Sequence, residues 1–586
     1  MTSRAAPTTL VELLQFRASA QPDGRACVAL GEGRAEAASI TFGQLHQGAA
    51  AIAARLLERG APGDRALLFY ESGIDFPLAY FGCLYAGMIP VPVPPPRRGR
   101  LRQSTHRIVQ DCSPRFAFAA ADRLPGLREE LGASILCATT GELREGAAEG
   151  LQFQPPPDRT EVAHLQYTSG STSAPKGIRV THRSVLANVE QAARRYGSDG
   201  ASTHVSWLPL YHDMGLVLNL LEAAYLGALC VLVEPIQFIH RPSSFLWAIH
   251  DYRAQVAGGP NFLYDHCVAR FKAAELEGLS LSSWKVAING AEPVRARTLE
   301  RFAATFAPHG FEASAMNPGY GMAEATLVIS AGRRGEGVHL QPISKKALQE
   351  DRIAAPESEA DRFPAVACGE VVDGGRVAIV DPVTRRRRPE DGVGEIWIGG
   401  PHVADGYWNN EAATEETFRA RTEPDGDGPF LRSGDLGFVQ GGRVFIAGRM
   451  KDVIIIRGGN YYPQDIEGIA ERCHPALRPN FSAAFGVLHD GEERLVVVQE
   501  VDRAAEPGLQ LHPVAEAIRK AISRELGLMV TGIALIRQGT IPKTSSGKIQ
   551  RSAAKRQYLD RALDEIASTE SVPLRTAAVA RGPPEA

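Results

Sequence analysis

The alternation of two hydrophobic periods along the first three quarters of the chain constrains the fold most strongly. Segments such as 10–20 and 41–60 repeat their apolar residues with the period of an amphipathic helix. Between such segments stand short apolar runs that are typical of buried strands, for example "RALLFY" from Arg65 and "KVAING" from Lys285. This alternation predicts an α/β fold, in which helices cover largely parallel sheets.

The chain has 586 residues, which is long for one domain, and the pattern of predicted helices and strands changes near Arg449. Beyond this point come shorter mixed units, with strand-like runs such as "ERLVVVQEV" and a helical pattern in "PVAEAIRKAISREL". We therefore predict a large N-terminal domain of several subdomains over 1–449 and a small α+β domain over 450–570. Residues 571–586 carry too little apolar content to fold and are predicted to be a disordered tail.

Composition narrows the classes of function. The net charge of −3 gives no electrostatic reason to expect nucleic acid or an anionic membrane as a partner. The eight cysteines are scattered and form no C-x-x-C pair, which argues against a disulfide framework or a zinc site. Together with the lack of a recognisable export signal, this pattern predicts a cytoplasmic protein.

One uncharged run, "FPLAYFGCLYAGMIPVPVPPP" from Phe76, is long enough to cross a bilayer. Five prolines crowd its second half, and a spanning helix does not tolerate that density. We predict a buried helix running into a proline-rich loop, and no transmembrane segment.

The segment "QYTSGSTSAPKG", from Gln166 to Gly177, is rich in hydroxyls and glycines and ends in a lysine. Glycines let backbone N–H groups approach an anion closely, and Lys176 adds a mobile positive charge, so the segment suits a phosphate. The alternative is a solvated Ser/Thr/Gly turn. A Walker A loop is excluded, because Gly177 stands where that motif requires Ser or Thr.

Two further segments have the chemistry of a nucleotide site. In "NPGYGMAEATL" from Asn317, Tyr320 is placed to lie flat against a base, and Glu324 offers a hard oxygen ligand for Mg²⁺. In "NGAEPV" from Asn289, small residues after a strand would admit a flat ring. Each segment alone is equally compatible with a plain turn, in which Glu292 would be a solvated acid.

The last three candidates lie near the predicted domain boundary and beyond it. Asp435 in "RSGDLG" offers a carboxylate that can accept two hydrogen bonds from a ribose diol, and Arg449 in "GRMKD" can pair with oxygens nearby. Lys548 lies in the loop "PKTSSGKIQR". The alternatives are a Ser-Gly-Asp turn and an ordinary exposed lysine.

In this order and spacing, the six motifs resemble the successive signatures of the adenylate-forming superfamily, which includes acyl-CoA synthetases, luciferases and peptide-synthetase adenylation domains. The resemblance spans about residues 10 to 560. It implies a large N-terminal adenylation domain and a small C-terminal lid, hinged at Lys451. It also implies that a carboxylate is joined to the α-phosphate of MgATP with release of pyrophosphate, and that the acyl group then passes to a thiol.

The resemblance also implies roles for individual residues, with ATP and Mg²⁺ as cofactors. It assigns Lys548 and His212 to catalysis, Glu324 to the metal, and Asp435 and Arg449 to the ribose. The remaining assignments are phosphate binding by Thr168, Ser169, Gly170, Ser171, Thr172, Ser173 and Lys176, and adenine or AMP binding by Gly290, Ala291, Glu292, Tyr320, Gly321 and Met322. In one departure from the superfamily, Ser173 replaces the usual glycine, which costs the loop some backbone freedom.

Several details are similar to one branch, the fatty acyl-AMP ligases, notably "WLPLYHDMGL" from Trp207 and "KDVIIIRGGNYYPQDIE" from Lys451. Between Glu324 and Cys368 the chain is longer than in most members, which predicts an insertion near 333–363. The excess contains "SKKALQEDRIAAPESEADR", in which nine of 19 residues are charged. The alternative is a tolerated surface loop. In the branch, such an insertion restrains the lid from the posture that admits coenzyme A.

The prediction is a fatty acyl-AMP ligase acting on a medium- or long-chain fatty acid. Its acyl group would pass to the phosphopantetheine thiol of a separate acyl carrier protein of a polyketide or peptide synthase. The alternative enzyme is a long-chain fatty acyl-CoA synthetase. A third hypothesis, from a different class, is a non-catalytic relative that only binds nucleotide or lipid. Residues His212 and Asp213 could equally be a structural hydrogen-bonded pair.

Overall fold

The computed structural model describes residues 6–96, 100–145, 155, 161–168, 175–544 and 547–574. Its α-helices are Leu10–Ala20, Phe42–Leu57, Asp75–Tyr85, Gln103–Cys112, Leu124–Leu131, Thr140–Arg144, His182–Tyr196, Glu222–Leu226, Pro235–His240, Ser243–Asp251, Asn261–Ala269, Ala296–Phe306, Lys345–Gln349, Glu411–Phe418, Pro463–Ala470, Leu511–Leu526 and Arg551–Leu559. A π-helix, Met214–Leu221, precedes Glu222–Leu226. Among the described residues, none of the helices has both the length and the apolar character needed to cross a lipid bilayer.

The main sheet has a parallel half and an antiparallel half. In spatial order the parallel half consists of Arg25–Leu30, Leu229–Leu232, Thr203–Ser206, Val256–Gly259, Val286–Asn289 and Met316–Gly321. The antiparallel half continues with Val328–Ala331, Arg362–Val371, Arg443–Arg449, Leu431–Gln440, Gly394–Gly399 and Arg376–Val380. The α/β class is confirmed, whereas the expectation of largely parallel sheets is wrong for the antiparallel half. There, neighbouring strands include the hairpin Leu431–Gln440 and Arg443–Arg449, whose short connection permits only antiparallel pairing.

Strands at the two margins of the main sheet complete it. Glu36–Thr41 pairs with Arg25–Leu30, and Leu340–Ser344 pairs with Arg362–Val371, both antiparallel. The remaining strands of the N-terminal part form a parallel sheet and a hairpin: Ile89–Pro92, Arg65–Phe69, Phe116–Ala119 and Leu136–Ala138 in the sheet, and Val162–Thr168 with Lys176–Thr181 in the hairpin.

The apolar run from Phe76 forms the predicted buried helix, Asp75–Tyr85, but the loop predicted after it is wrong in part. Ile89–Pro92 is a strand that pairs with Arg65–Phe69 at the edge of the parallel sheet. Proline is tolerated there because only one side of an edge strand needs to hydrogen bond.

Beyond Arg449 the chain folds around a second, four-stranded sheet, made of Leu477–His489, Glu492–Val501, Val530–Ile536 and Glu565–Glu570. The small strands Ile454–Ile456 and Gly459–Tyr461 pair as a hairpin. Helices Pro463–Ala470 and Leu511–Leu526 pack on one face of the larger sheet, and helix Arg551–Leu559 packs on the other. Leu574, which falls in the predicted tail, is buried against this second face. The predicted tail beyond it lies outside the described residues.

Candidate active site

The hairpin Val162–Thr168 and Lys176–Thr181 carries the ends of the predicted phosphate loop. Thr168 and Lys176 are the last directly opposed pair of the hairpin, so the two ends of the loop lie side by side. The other predicted loop residues, Ser169, Gly170, Ser171, Thr172 and Ser173, lie outside the described residues. Lys176 Nζ stands 4.6 Å from the ring centroid of Tyr407, over its face.

The predicted ribose residues lie together on neighbouring strands. Asp435 and Arg449 are directly opposed across an antiparallel pair, and Arg449 Nε lies 3.6 Å from Asp435 Oδ1. Tyr320 lies on the last parallel strand, and its hydroxyl donates a hydrogen bond to Asp435 Oδ2 at 2.8 Å. Burial raises the pKa of Asp435, while Arg449 and Tyr320 oppose the rise. The site therefore lies where the main sheet changes from parallel to antiparallel.

The segment Gly290, Ala291 and Glu292 follows the strand Val286–Asn289, next to the strand that carries Tyr320. A Cβ atom added to Gly290 would lie 2.9 Å from the carbonyl oxygen of Gly319, so only glycine allows this approach of the two backbones. Ala291 takes a left-handed conformation with φ of 69°, which turns the chain out of the strand. The predicted adenine residues are thus adjacent in space.

Glu324 lies in the turn Ala323–Ala325, just after the last parallel strand, with Gly321 and Met322 between this turn and Tyr320. Its carboxylate accepts a hydrogen bond from the Tyr407 hydroxyl at 3.3 Å. Burial raises the pKa of Glu324, and the nearby charge of Asp213 raises it further. Two carboxylates that repel each other suit a divalent cation, which removes the repulsion.

Within the described ranges, no group of three or more His, Cys, Asp or Glu side chains is arranged to hold a metal ion. A cation at Glu324 would therefore need oxygens from a bound ligand. That requirement suits Mg²⁺, which commonly takes one or two carboxylates together with substrate phosphates.

His212 lies between the strand Thr203–Ser206 and the π-helix Met214–Leu221. Burial lowers its pKa to about 4, with Asp213 raising it and Lys548 lowering it. The imidazole is therefore neutral at physiological pH. The Asp213 carboxylate accepts a hydrogen bond from the backbone N–H of Met214 at 2.7 Å. It does not accept one from the His212 ring, so the two side chains do not form the hydrogen-bonded pair.

Lys548 reaches the same place from the C-terminal region. Burial lowers its pKa, and the carboxylates of Asp213, Glu292 and Asp435 oppose that change. Its backbone N–H donates to Thr544 Oγ1 at 3.1 Å. Burial lowers the pKa of Lys451, the charge of Arg449 lowers it further, and the charge of Asp435 opposes the change.

Two groups of contacts were missed by sequence reasoning. Tyr407 contacts both Lys176 and Glu324. Its position directly after a glycine, in "DGYWNN", was an available signal, since Tyr320 also directly follows a glycine.

The second group joins the N-terminal part to the C-terminal region. Arg295 Nη1 donates to Asn480 Oδ1 at 2.6 Å and to Glu471 Oε2 at 3.2 Å.

The predicted insertion is folded and packed. It includes strand Leu340–Ser344 and helix Lys345–Gln349, and its apolar side chains join a buried cluster shared with both parts of the chain. Leu348 and Tyr462 belong to this cluster, with Ile353 packed against it. Burial raises the pKa of Asp351, and a hydrogen bond with Asn460 opposes the rise. The insertion therefore packs against the rest of the molecule, and its role in restraining the lid stays a prediction.

Comparisons with known proteins cover nearly the whole chain. The family described as "AMP-binding enzyme" matches residues 14–408, and the family described as "Disco-interacting protein 2-like, AMP domain" matches residues 451–568. The chain is 42% identical to the medium-chain fatty acid–acyl carrier protein ligase JamA of Moorena producens, over 95% of this chain and 96% of that protein.

Two other similarities bear on substrate and acceptor. The chain is 34% identical to the putative fatty-acid–CoA ligase fadD25 of Mycobacterium tuberculosis, over 94% of this chain and 97% of that protein. The crystal structure of a fatty acid AMP ligase from Legionella pneumophila is 35% identical, with a TM-score of 0.74 over 96% of this chain and 98% of that one.

Proposed function

Because the chain belongs to the AMP-binding enzyme family, we propose that it is a fatty acyl-AMP ligase that loads an acyl carrier protein. The substrates are ATP, bound with Mg²⁺, and a fatty acid, for which JamA supports a medium chain length. The observation that carries this proposal is the set of contacts between separate motifs. Tyr320 and Arg449 both contact Asp435, and Tyr407 contacts both Glu324 and Lys176. Residues from distant motifs thereby surround one space with groups suited to phosphate, base and ribose.

In the first step, a carboxylate oxygen of the fatty acid attacks the α-phosphorus of ATP. The bond from that phosphorus to its bridging oxygen breaks, and pyrophosphate leaves with the electron pair. Lys176 and Lys548 face the negative charge that builds on these oxygens, and preorganised charges of this kind lower the barrier. Glu324 would hold Mg²⁺, which would neutralise part of this charge. Asp435 accepts hydrogen bonds from the ribose hydroxyls.

In the second step, the phosphopantetheine thiol of the carrier attacks the acyl carbonyl, AMP leaves, and the thiol proton passes to solvent. We expect the lid to move between the two steps about a hinge at Lys451. The division at residues 449 and 450 stays a prediction. It is supported by the buried clusters of the C-terminal region, two of which contain only residues from Ile454 onward.

The packed insertion supports a carrier rather than coenzyme A as the acceptor. Leu348 and Tyr462 share one buried cluster, so any movement of the C-terminal region past this point must break apolar contacts. The second candidate, a fatty acyl-CoA ligase, is favoured by the similarity to fadD25. A cytoplasmic location stays a prediction as well.

The deciding experiment is mass spectrometry of products formed from ATP, MgCl₂ and a series of fatty acids from hexanoate to palmitate. Each acid is offered with coenzyme A, with a phosphopantetheinylated carrier protein, or with neither. We expect acyl-AMP without acceptor and an acyl thioester with the carrier alone. Rapid acyl-CoA formation would favour the second candidate, and absence of pyrophosphate release with every acid would favour a binding protein.

A further inference from the structure

Tyr407 lies between two groups of opposite charge in the candidate site. Its hydroxyl donates to Glu324 Oε1 at 3.3 Å, and the ammonium of Lys176 stands 4.6 Å from its ring centroid. The side chain is only 6% exposed. One aromatic side chain thus contacts the candidate metal carboxylate with its polar end and the candidate phosphate lysine with its π-face.

The backbone around Tyr407 is tied to the hairpin that bears the phosphate loop. Arg179 N–H donates to Gly406 O at 2.8 Å, and Trp408 N–H donates to Gly177 O at 2.6 Å, so this segment lies alongside strand Lys176–Thr181. These bonds flank Tyr407 on both sides. The position of its ring relative to Lys176 is therefore set by backbone pairing.

The side chain of Tyr407 is also fixed by packing on its other side. Its ring meets Phe418 edge to face, with centroids 5.1 Å apart. Its own N–H donates to Thr414 Oγ1 at 2.9 Å. A ring held by these contacts presents its hydroxyl and its face in fixed directions before any ligand arrives, which is the condition for preorganisation.

Resting on the proposed function, we propose that Tyr407 is a positioning residue for MgATP. Its hydroxyl orients the Glu324 carboxylate toward magnesium, and its ring holds the Lys176 ammonium in position for the triphosphate. Because each charge has its own contact on the tyrosine, neither needs to neutralise the other before the nucleotide binds. A hydrogen bond from a hydroxyl to a carboxylate and a cation–π contact both stabilise a charged group more strongly where water is partly excluded.

The test separates the two contacts by substitution. Tyr407→Phe keeps the ring and removes the hydroxyl, whereas Tyr407→Leu removes both. Binding of ATP is measured by isothermal titration calorimetry, once with MgCl₂ and once with EDTA, and without fatty acid, so that no turnover is needed. Tyr558→Phe is the matched control, since it also removes a buried tyrosine hydroxyl that donates to a carboxylate, that of Glu570, at 2.6 Å.

For Tyr407→Phe we expect the gain in ATP affinity caused by magnesium to fall about tenfold, with magnesium-free affinity unchanged. For Tyr407→Leu we expect magnesium-free affinity to fall about threefold as well, because Lys176 loses its platform. Tyr558→Phe should change neither value. Melting temperatures show that each variant is folded, and the conservative Tyr407→Phe is decisive if Tyr407→Leu unfolds.

An unchanged magnesium gain in Tyr407→Phe would overturn the assignment to Glu324, as would an equal loss of affinity with and without magnesium. An unchanged magnesium-free affinity in folded Tyr407→Leu would overturn the assignment to Lys176. The proposed function fails on a different result, namely that the wild-type protein forms no acyl-AMP with any acid.

Discussion

At the scale of single residues, the site depends on charges brought out of water. Burial displaces the pKa values of Lys548, Asp435 and Glu324. The charge of Arg449 acts on the pKa values of all three groups. Such displaced pKa values are common where groups are gathered for chemistry. A bound triphosphate would complete the set, because it supplies the negative charge that two lysines face.

Replacing Lys548 by alanine is expected to lower acyl-AMP formation by about a hundred- to a thousandfold, since one preorganised charge is lost from the transition state. ATP affinity should stay nearly unchanged, because Lys176 and the ribose contacts persist. Single-turnover formation of acyl-AMP, with ATP binding measured in parallel, checks both parts. Lys520→Ala, on an exposed face of helix Leu511–Leu526, is the control. Normal acyl-AMP production by Lys548→Ala would remove the catalytic role.

At the scale of elements, the insertion shows how a polar segment becomes structural. Ser344 caps helix Lys345–Gln349 by accepting from Ala347 N–H at 3.1 Å. This helix places Leu348 in the cluster that includes Tyr462. Most of the charged side chains face solvent, while a few apolar ones face the C-terminal region. The segment therefore acts through its minority of apolar residues.

Shortening this insertion should admit coenzyme A. Ser344 and Arg362 are directly opposed on paired strands, so residues 345–361 can be replaced by Asn-Gly, which closes a two-residue hairpin. We expect acyl-AMP formation to persist and acyl-CoA formation to rise about tenfold. A tenfold rise corresponds to a shift of about 1.4 kcal/mol in the equilibrium between lid positions. Quantification of acyl-CoA by mass spectrometry measures the change. Glu357→Ala, exposed in the same segment, should behave as wild type; a shortened variant that also behaves as wild type contradicts the restraint.

At the scale of the whole molecule, several histidines are buried as neutral groups. Burial lowers the pKa of His204 and His402 to about 4 and that of His164 to about 3. Above about pH 6.5, these histidines are neutral in both the folded and the unfolded chain, so they do not reduce the free energy of unfolding. As the pH falls toward 4 the unfolded chain takes up protons first, so the free energy of unfolding decreases.

His204→Gln should therefore reduce the loss of stability between pH 7 and pH 4.5 by about 1 to 3 kcal/mol, because one such proton uptake is removed. Urea unfolding at the two pH values measures the difference. His512→Gln, on an exposed position of the C-terminal region, should leave the loss as in wild type. Equal losses in wild type and His204→Gln would refute the contribution of this histidine.

How much was predictable differs between fold and site. The helices Leu10–Ala20 and His182–Tyr196 and the strand Val286–Asn289 follow from local hydrophobic period, which one stretch of chain contains in full. Strand Ile89–Pro92 does not, because its prolines are acceptable only at the edge that tertiary pairing assigns to it.

The sequence by itself determined the chemical groups and their order, because phosphate, ribose and metal sites each require particular side chains set in glycine-rich turns. Tertiary structure alone decided which of these groups meet. Tyr320 reaches Asp435 across strands far apart in the chain, and Tyr407 reaches Lys176 and Glu324 from a third segment. The physical reason is that such contacts depend on strand pairing and register, which arise from packing of the whole sheet rather than from any local pattern.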